Sequence, residues 1–216
     1  MTDLNLKSQK LSTILVNYNF TPTWLLTSDL DYHIFDRSES KEWLKDFPQE
    51  RITYTENKGN VDYDKLAYLI DNYDNLPDVF LWGKTNLFKY ISEEEFEKVK
   101  NNKTFTPLLT QNHKVYSDRN GVVCYYSGGI YHERNDSWFL HEVPGRIESW
   151  NAWAQGLQLP QPMYIPFAPG GNYILTRETV HRYSVDYYKK IFDSLGYTTL
   201  PGEAQCAERS YYLMWA

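Results

Sequence analysis

Between Glu56 and Ile91 the chain sets out, in order, a turn, a helix, a break, a short apolar strand and a polar loop. Asn57-Lys58-Gly59-Asn60 is turn-rich. Leu66, Leu69, Ile70 and Tyr73 then recur at i, i+3, i+4 and i+7, the spacing of one helical face. Asp62 or Asp64 stands where a capping residue belongs. Asn75-Leu76-Pro77-Asp78 stops the helix. Val79-Phe80-Leu81-Trp82 is long enough for a buried strand and too short for a helix. Gly83-Lys84-Thr85-Asn86 follows at its carboxyl end, where open α/β sheets receive ligands. A loop that only connects uses the same residue types, so the stretch predicts an αβ unit before it predicts a site.

The chain ahead of this unit alternates in the same way. Thr13-Ile14-Leu15-Val16 predicts a β-branched strand over 11–17, with further strands over 32–36 and 51–55. Short helices are predicted near 23–29 and from Glu42. Three rounds of strand, loop and helix imply a parallel sheet with helices on both faces.

Beyond Ile91 the pattern changes. Ser92 followed by Glu93-Glu94-Glu95 reads as a capped helix start, and a solvated first turn explains the acids better than a metal site. Short β-like pieces, notably Val122 to Tyr126, occupy 105–136, punctuated by Gly128-Gly129. Residues 137–168 are rich in Trp, Pro and Gly, and a long weakly regular segment usually carries function. A strand over 170–175 enters through a glycine pair. One helix is predicted from Thr176 to Gly196, with Val180, Tyr183, Tyr187 and Ile191 as its apolar stripe. A last helix covers 203–215. With no repeat, low-complexity tract or linker, the reading is one domain over 1–216.

Charge and composition exclude several classes. A net charge of −6 argues against a nonspecific nucleic-acid binder or an anionic-membrane binder. No apolar run reaches the roughly 18 residues of a membrane span, and the first ten residues lack a signal-peptide core. Two distant cysteines, Cys124 and Cys206, read as reduced thiols, so a cytoplasmic location is expected. The 19 Tyr and 7 Trp fit either a polar-edged binding surface or a core.

No phosphate-loop, dinucleotide, zinc-protease or nucleophile-elbow motif is present. What remains is a set of polar strand ends: Tyr18-Asn19, Asp36-Arg37-Ser38, Asn57 to Asn60, and Lys84-Thr85-Asn86. Adjacent parallel strands would line these along one rim. Asp and Asn there can bond a base or ribose, and Lys can neutralise a phosphate. Together they favour a nucleotide-type ligand.

Tyr18-Asn19, Asp36-Arg37-Ser38-Glu39 and Glu56-Asn57-Lys58-Gly59-Asn60 resemble the strand-end motifs of GT-A glycosyltransferases. A further likeness is to uncharacterised glycosyltransferase-like proteins of bacteria, viruses and fungi, grouped as a domain of unknown function. It rests on Asp71-Asn72-Tyr73-Asp74-Asn75-Leu76-Pro77-Asp78, on Gly170-Gly171-Asn172-Tyr173 with Thr176-Arg177-Glu178, and on Glu208 to Trp215. It spans most of the chain, and the segment 71–78 is its most specific part.

The resemblance implies an α/β fold of GT-A type, a Rossmann-like three-layer sandwich around a mostly parallel sheet. About 1–91 would be the nucleotide-binding half and about 92–216 the acceptor-binding half. It implies a nucleotide-sugar donor, UDP-linked, and a glycan or glycoprotein acceptor, in the cytoplasm (the host's, for a viral protein). Tyr18, Asn19, Asp36, Ser38, Lys58, Asn60 and Lys84 would hold the donor. Glu208, on the closing helix, would be the catalytic base, unless it only pairs with Arg209 or another surface cation. Trp138, Trp150 and Trp153 would stack on acceptor sugars, unless they are core.

One departure concerns the cofactor. Such enzymes hold Mn or Mg on an Asp-x-Asp motif after the fourth strand, where this chain has Trp82-Gly83-Lys84-Thr85-Asn86. The carboxylates a hard cation wants are absent there, so no metal ligand is assigned. Asp29-Leu30-Asp31 has the letters but precedes the second strand. Either Lys84 supplies the positive charge, or the fold persists as a non-catalytic carbohydrate- or nucleotide-binding module. An α/β-hydrolase-like enzyme is disfavoured by the missing nucleophile motif.

Overall fold

A computed structural model describes residues 11–110, 116–119, 121–135 and 145–216. Its strands are β1 (Ser12–Asn17), β2 (Asp31–Asp36), β3 (Ile52–Tyr54), β4 (Val79–Lys84), β5 (Thr106–Pro107), β6 (Tyr116–Asp118), β7 (Gly121–Ser127), β8 (Ile130–Arg134), β9 (Tyr164–Phe167) and β10 (Tyr173–Thr176). The helices are α1 (Asn60–Asp71), α2 (Glu93–Val99), α3 (Trp150–Gly156), α4 (Arg177–Val180), α5 (Val185–Asp193) and α6 (Gly202–Trp215).

The GT-A-type, Rossmann-like sandwich around one mostly parallel sheet is not what forms. The main sheet is mixed, with six strands in the order β3-β2-β1-β4-β10-β5. β1, β2, β3 and β4 are parallel, but β10 runs antiparallel to both β4 and β5. A separate antiparallel sheet holds β6-β7-β8-β9. Local chemistry explains both departures. Gly128 and Gly129, at φ +62° and +79°, form the two-residue turn between β7 and β8. Such a turn can only return a strand antiparallel. β10 is entered from Gly170-Gly171 at the edge where β1, β2 and β4 end, so it has to run back against them.

The sheet's two faces are covered unequally. Alternate residues point to opposite faces, so Ile14, Phe80, Trp82, Tyr173 and Leu175 pack on one side with α1, α5, α6 and the second sheet. Leu15, Ile34, Leu81 and Ile174 pack on the other. That side is covered by α2 and by 3-10 turns such as Thr23–Leu26 and Lys41–Leu44. The links from β1 to β2 and from β2 to β3 make these tight turns instead of the α-helices the alternation predicts.

The helix predicted from Thr176 to Gly196 is two helices. The side chain of Ser184 accepts from Tyr187 N–H and starts α5 afresh. The break shifts the stripe by one residue, so Tyr188 is buried in place of Tyr187. α1 starts on Gly59, whose φ of +67° is left-handed, and not on an aspartate cap. Asp62 and Asp64 sit inside α1 and are buried.

Much of the aromatic content is interior. Trp82, Tyr211 and Trp215 form one block, with Trp82 edge-on to the other two at 4.8 and 4.9 Å and Tyr211 stacked on Trp215. Each large apolar side chain buried this way contributes about 1.5–3 kcal/mol. α6 also ties the second sheet to the first. Arg209 Nε donates to Glu133 Oε2 of β8, and its guanidinium lies 4.8 Å from the Phe167 ring of β9.

Candidate functional site

A cavity of about 390 Å³ opens where β1, β2 and β4 end and α1 begins. Val16, Tyr18, Arg37, Asn60, Lys84 and Asn86 contribute to its wall. Parallel pairing levels these ends: Asn17 stands opposite Asp36, and Val16 opposite Lys84.

A buried hydrogen-bond network fixes the rim. Asn17 Nδ2 donates to Asp36 Oδ1 at 3.0 Å and to Ser38 Oγ at 3.2 Å. Thr85 Oγ1 donates to Asn17 Oδ1 at 2.5 Å, which joins β4 to β1. Ser38 N–H and Oγ–H both donate to Asp36 Oδ1, while Asn19 N–H donates to Ser38 Oγ. Asp36, only 1% exposed, and Ser38 therefore hold the strand ends together. Asn19, at φ +50°, shapes the turn beside them. Of the residues expected to hold a donor, these three support the site from behind. Lys58 is engaged by Glu56 at 3.0 Å and by the Tyr63 ring at 5.1 Å. Tyr18, Asn60 and Lys84 do line the cavity, with Tyr18 45% exposed at the mouth.

Arg37, quoted in the strand-end motif but not singled out from it, proves to be a wall residue. Its buried guanidinium donates to the Lys58 carbonyl oxygen and lies 3.7 Å from Asp64. Burial pushes the Asp64 carboxyl up to about 6, against the opposing pull of Arg37. The folded protein therefore holds a proton at Asp64 that the unfolded chain, near 3.8, has released. Asp64 should cost stability progressively as pH rises from about 4 to about 6. Urea unfolding across that range should show the decline in wild type and a smaller one in Asp64→Asn; equal slopes would contradict it.

Lys84 meets a second charge cluster. Its Nζ lies 3.7 Å from Glu208 Oε2 on α6, and both side chains are 15% exposed. Burial pushes the Lys84 ammonium down, but Glu208, Tyr90 and Asp62 outweigh this and its pKa is raised. Behind this pair, Lys65 Nζ donates to the Gly171 carbonyl at 2.6 Å and sits 4.6 Å over the Trp82 ring. Burial lowers Lys65 to about 8, with Asp62 opposing. Asp62 is raised by its own burial and accepts from Tyr211 Oη at 3.1 Å. Asp62, Lys65 and Tyr211 escaped the sequence reading because only the packing of α1 on α6 brings them to Lys84.

Two backbone features position the cluster. Asn172 Oδ1 accepts Lys84 N–H at 2.8 Å, and a Cβ at Gly83 would stand 2.9 Å from that oxygen. Gly170, at φ +90°, lies so close to the Tyr90 ring that a Cβ would reach it at 2.6 Å.

The tryptophans expected to face an acceptor do not. Trp150 and Trp153 are 0% and 4% exposed, and Trp153 Nε1 donates to Ser210 Oγ at 2.8 Å. They pack α3 against α6, because the apolar rings find a core there. Trp138 lies outside the described residues. Among the described residues no group of three or more His, Cys, Asp or Glu side chains could hold a metal, and no helix is long and apolar enough to cross a membrane.

Compared with family models, with curated proteins and with solved structures, the chain matches none.

Lys84 and the start of α1 face one hollow, with Glu208 3.7 Å from the ammonium and the first helix amides already engaged, Asn60 N–H by the Thr199 carbonyl and Val61 N–H by Asn60 Oδ1. Lys84→Ala should weaken binding of a nucleoside diphosphate by about 1–3 kcal/mol, the size of a charge-assisted contact that is partly desolvated. Calorimetric titration with UDP measures this. An unchanged affinity would place the diphosphate elsewhere.

Proposed function

We propose that the protein is a glycosyltransferase that moves a sugar from a nucleotide sugar, UDP-linked, to a glycan or glycoprotein acceptor. The observation that carries this reading is the adjacency of Lys84, in the cavity wall, to Glu208, 3.7 Å from it on α6 although not itself a wall residue. A transfer reaction needs positive charge for the departing diphosphate and a base for the attacking hydroxyl, and this pair supplies one of each. Glu208 takes the proton of the acceptor hydroxyl as the oxygen attacks the anomeric carbon. Lys84 stabilises the charge that builds on the diphosphate as the glycosidic bond breaks. Tyr18 at the mouth offers a ring to the base, and Asn60 offers an amide to the ribose. The buried free thiols of Cys124 and Cys206 agree with work in the reducing cytoplasm.

One observation favours the second reading, a binding module without activity: Lys84 and Glu208 neutralise each other. Two measurements separate the readings. Titration against UDP, GDP, ADP and CDP, with and without Mn²⁺, tests the ligand class, and binding by none of them would remove the transfer reading and any nucleotide-binding module, leaving a carbohydrate-binding one. Release of nucleoside diphosphate from a bound nucleotide sugar then distinguishes enzyme from module. Binding with no release, across a panel of sugar acceptors, leaves the module.

A further inference from the structure

Two smaller hollows continue from the cavity. The first, about 190 Å³, shares Thr85 and Asn86 with it and is otherwise walled by Phe20, Trp24, Phe88 and Lys89. The second, about 270 Å³, shares Trp24 and Phe88 with the first and extends to Ser28, Asp29, Glu97 and Lys100. The two smaller hollows adjoin at Trp24 and Phe88, on the side of the main sheet that α2 covers.

The junction of the two smaller hollows is aromatic and rigid. Trp24 Nε1 donates to the Thr85 carbonyl at 2.8 Å, which fixes the indole. Phe88 meets it edge-on at 5.0 Å, and Phe96 braces both at 6.4 and 5.8 Å. Trp24 and Phe88 are half-buried, so part of each ring stays open. Asn86 Oδ1, at the junction with the cavity, has no hydrogen-bond partner in the protein. The outer end is acidic: Asp29, Glu93 and Glu97 line it against Lys100, which Glu97 holds at 2.8 Å.

We propose that the two smaller hollows, outside the Lys84 cavity, bind a neutral linear oligosaccharide. Sugar rings pair an apolar C–H face, which suits aromatic side chains, with hydroxyls, which suit carboxylates. The surplus of carboxylates at the outer end repels phosphates and uronic acids, which argues against nucleic acid and against an acidic polysaccharide. Two adjoining hollows suit a chain better than a single sugar. Calling that chain the acceptor rests on the transfer reading; the binding itself does not.

The test uses maltotetraose, cellotetraose and chitotetraose, their disaccharides, and tetragalacturonic acid as the anionic control. Binding is followed by saturation-transfer NMR and tryptophan fluorescence, with no nucleotide present. At least one neutral tetrasaccharide should bind roughly tenfold tighter than its disaccharide, and Phe88→Ala should weaken both by roughly 5- to 10-fold. Phe88 also packs on the core, so a second variant is needed. Glu97→Trp, at an exposed helical position, fills the outer hollow and should reduce tetrasaccharide affinity to that of the disaccharide. Neither variant should change UDP affinity.

No binding of any neutral tetrasaccharide overturns the proposal, as does tighter binding of tetragalacturonic acid. So does a loss of UDP affinity in Phe88→Ala with saccharide affinity intact, which would make the aromatic hollow a base pocket. Saccharide binding by a protein that binds no nucleotide would keep this inference and remove the transfer reading. Nucleotide binding without saccharide binding would do the reverse.

Discussion

Glu208→Gln should lower the turnover of sugar transfer by about 10²- to 10⁴-fold, the usual contribution of a general base. The substitution keeps the shape of the side chain and removes only its capacity to take a proton. Donor affinity should not fall with it. Lys84 Nζ, 3.7 Å away, loses a competing anion and becomes more available to the diphosphate. A drop in rate with unchanged or tighter UDP binding is therefore the expected signature. Glu203→Gln is the control. Its carboxylate accepts from Arg146 N–H and from Tyr197 Oη, both at 2.6 Å, so its loss should lower the melting temperature and spare the rate. Should Glu208→Gln behave like that control, Glu208 is only a partner of Lys84 and the base lies elsewhere.

Arg209→Met should destabilise the fold by about 3–5 kcal/mol, because it strands a buried carboxylate. Arg209 and Glu133 have side chains 6% and 4% exposed, so Glu133 cannot turn to water when its partner is removed. Glu133→Gln combined with Arg209→Met should recover part of the loss, since the amide needs no counter-charge. Urea unfolding of wild type, Arg209→Met and the double variant gives the answer. Equal stability of Arg209→Met and wild type would show that the second sheet is held by its apolar contacts with α6 alone. Activity is a poor reporter here, because Arg209 Nη1 also lies 3.9 Å from Glu208.

The parts legible in the sequence are those fixed by local pattern. The four strands before Ile91 declare themselves by β-branched and apolar runs, and their ends by polar turn residues. That is enough to place Tyr18, Asn60 and Lys84 along one edge. What stayed hidden depends on contacts between distant segments. Asp62 and Lys65 lie on a helical face that reads as solvated until α6 covers it. Asp36 and Ser38 look like ligand-binding residues because a strand-end carboxylate and hydroxyl serve a rim network as well as they serve a ribose. Trp150 and Trp153 could be surface or core on composition, and only packing decides. The direction of β10 was also unreadable, because a buried strand looks the same whichever way its neighbours run.

That direction has a consequence for the protein's history as a nascent chain. A strand that runs against its neighbours brings its beginning, not its end, to the edge where they finish. The loop of Gly170, Gly171 and Asn172 thus supplies its contact to Lys84 from 88 residues further along the chain, and Glu208 follows later still. The parallel strands leave the ribosome early with Lys84 and Arg37 in place but without the residues that set their surroundings. Until α6 emerges, Lys84 has no Glu208 beside it and Lys65 has no Gly171 carbonyl to hold. The surroundings of Lys84 are therefore complete only once α6 has been made.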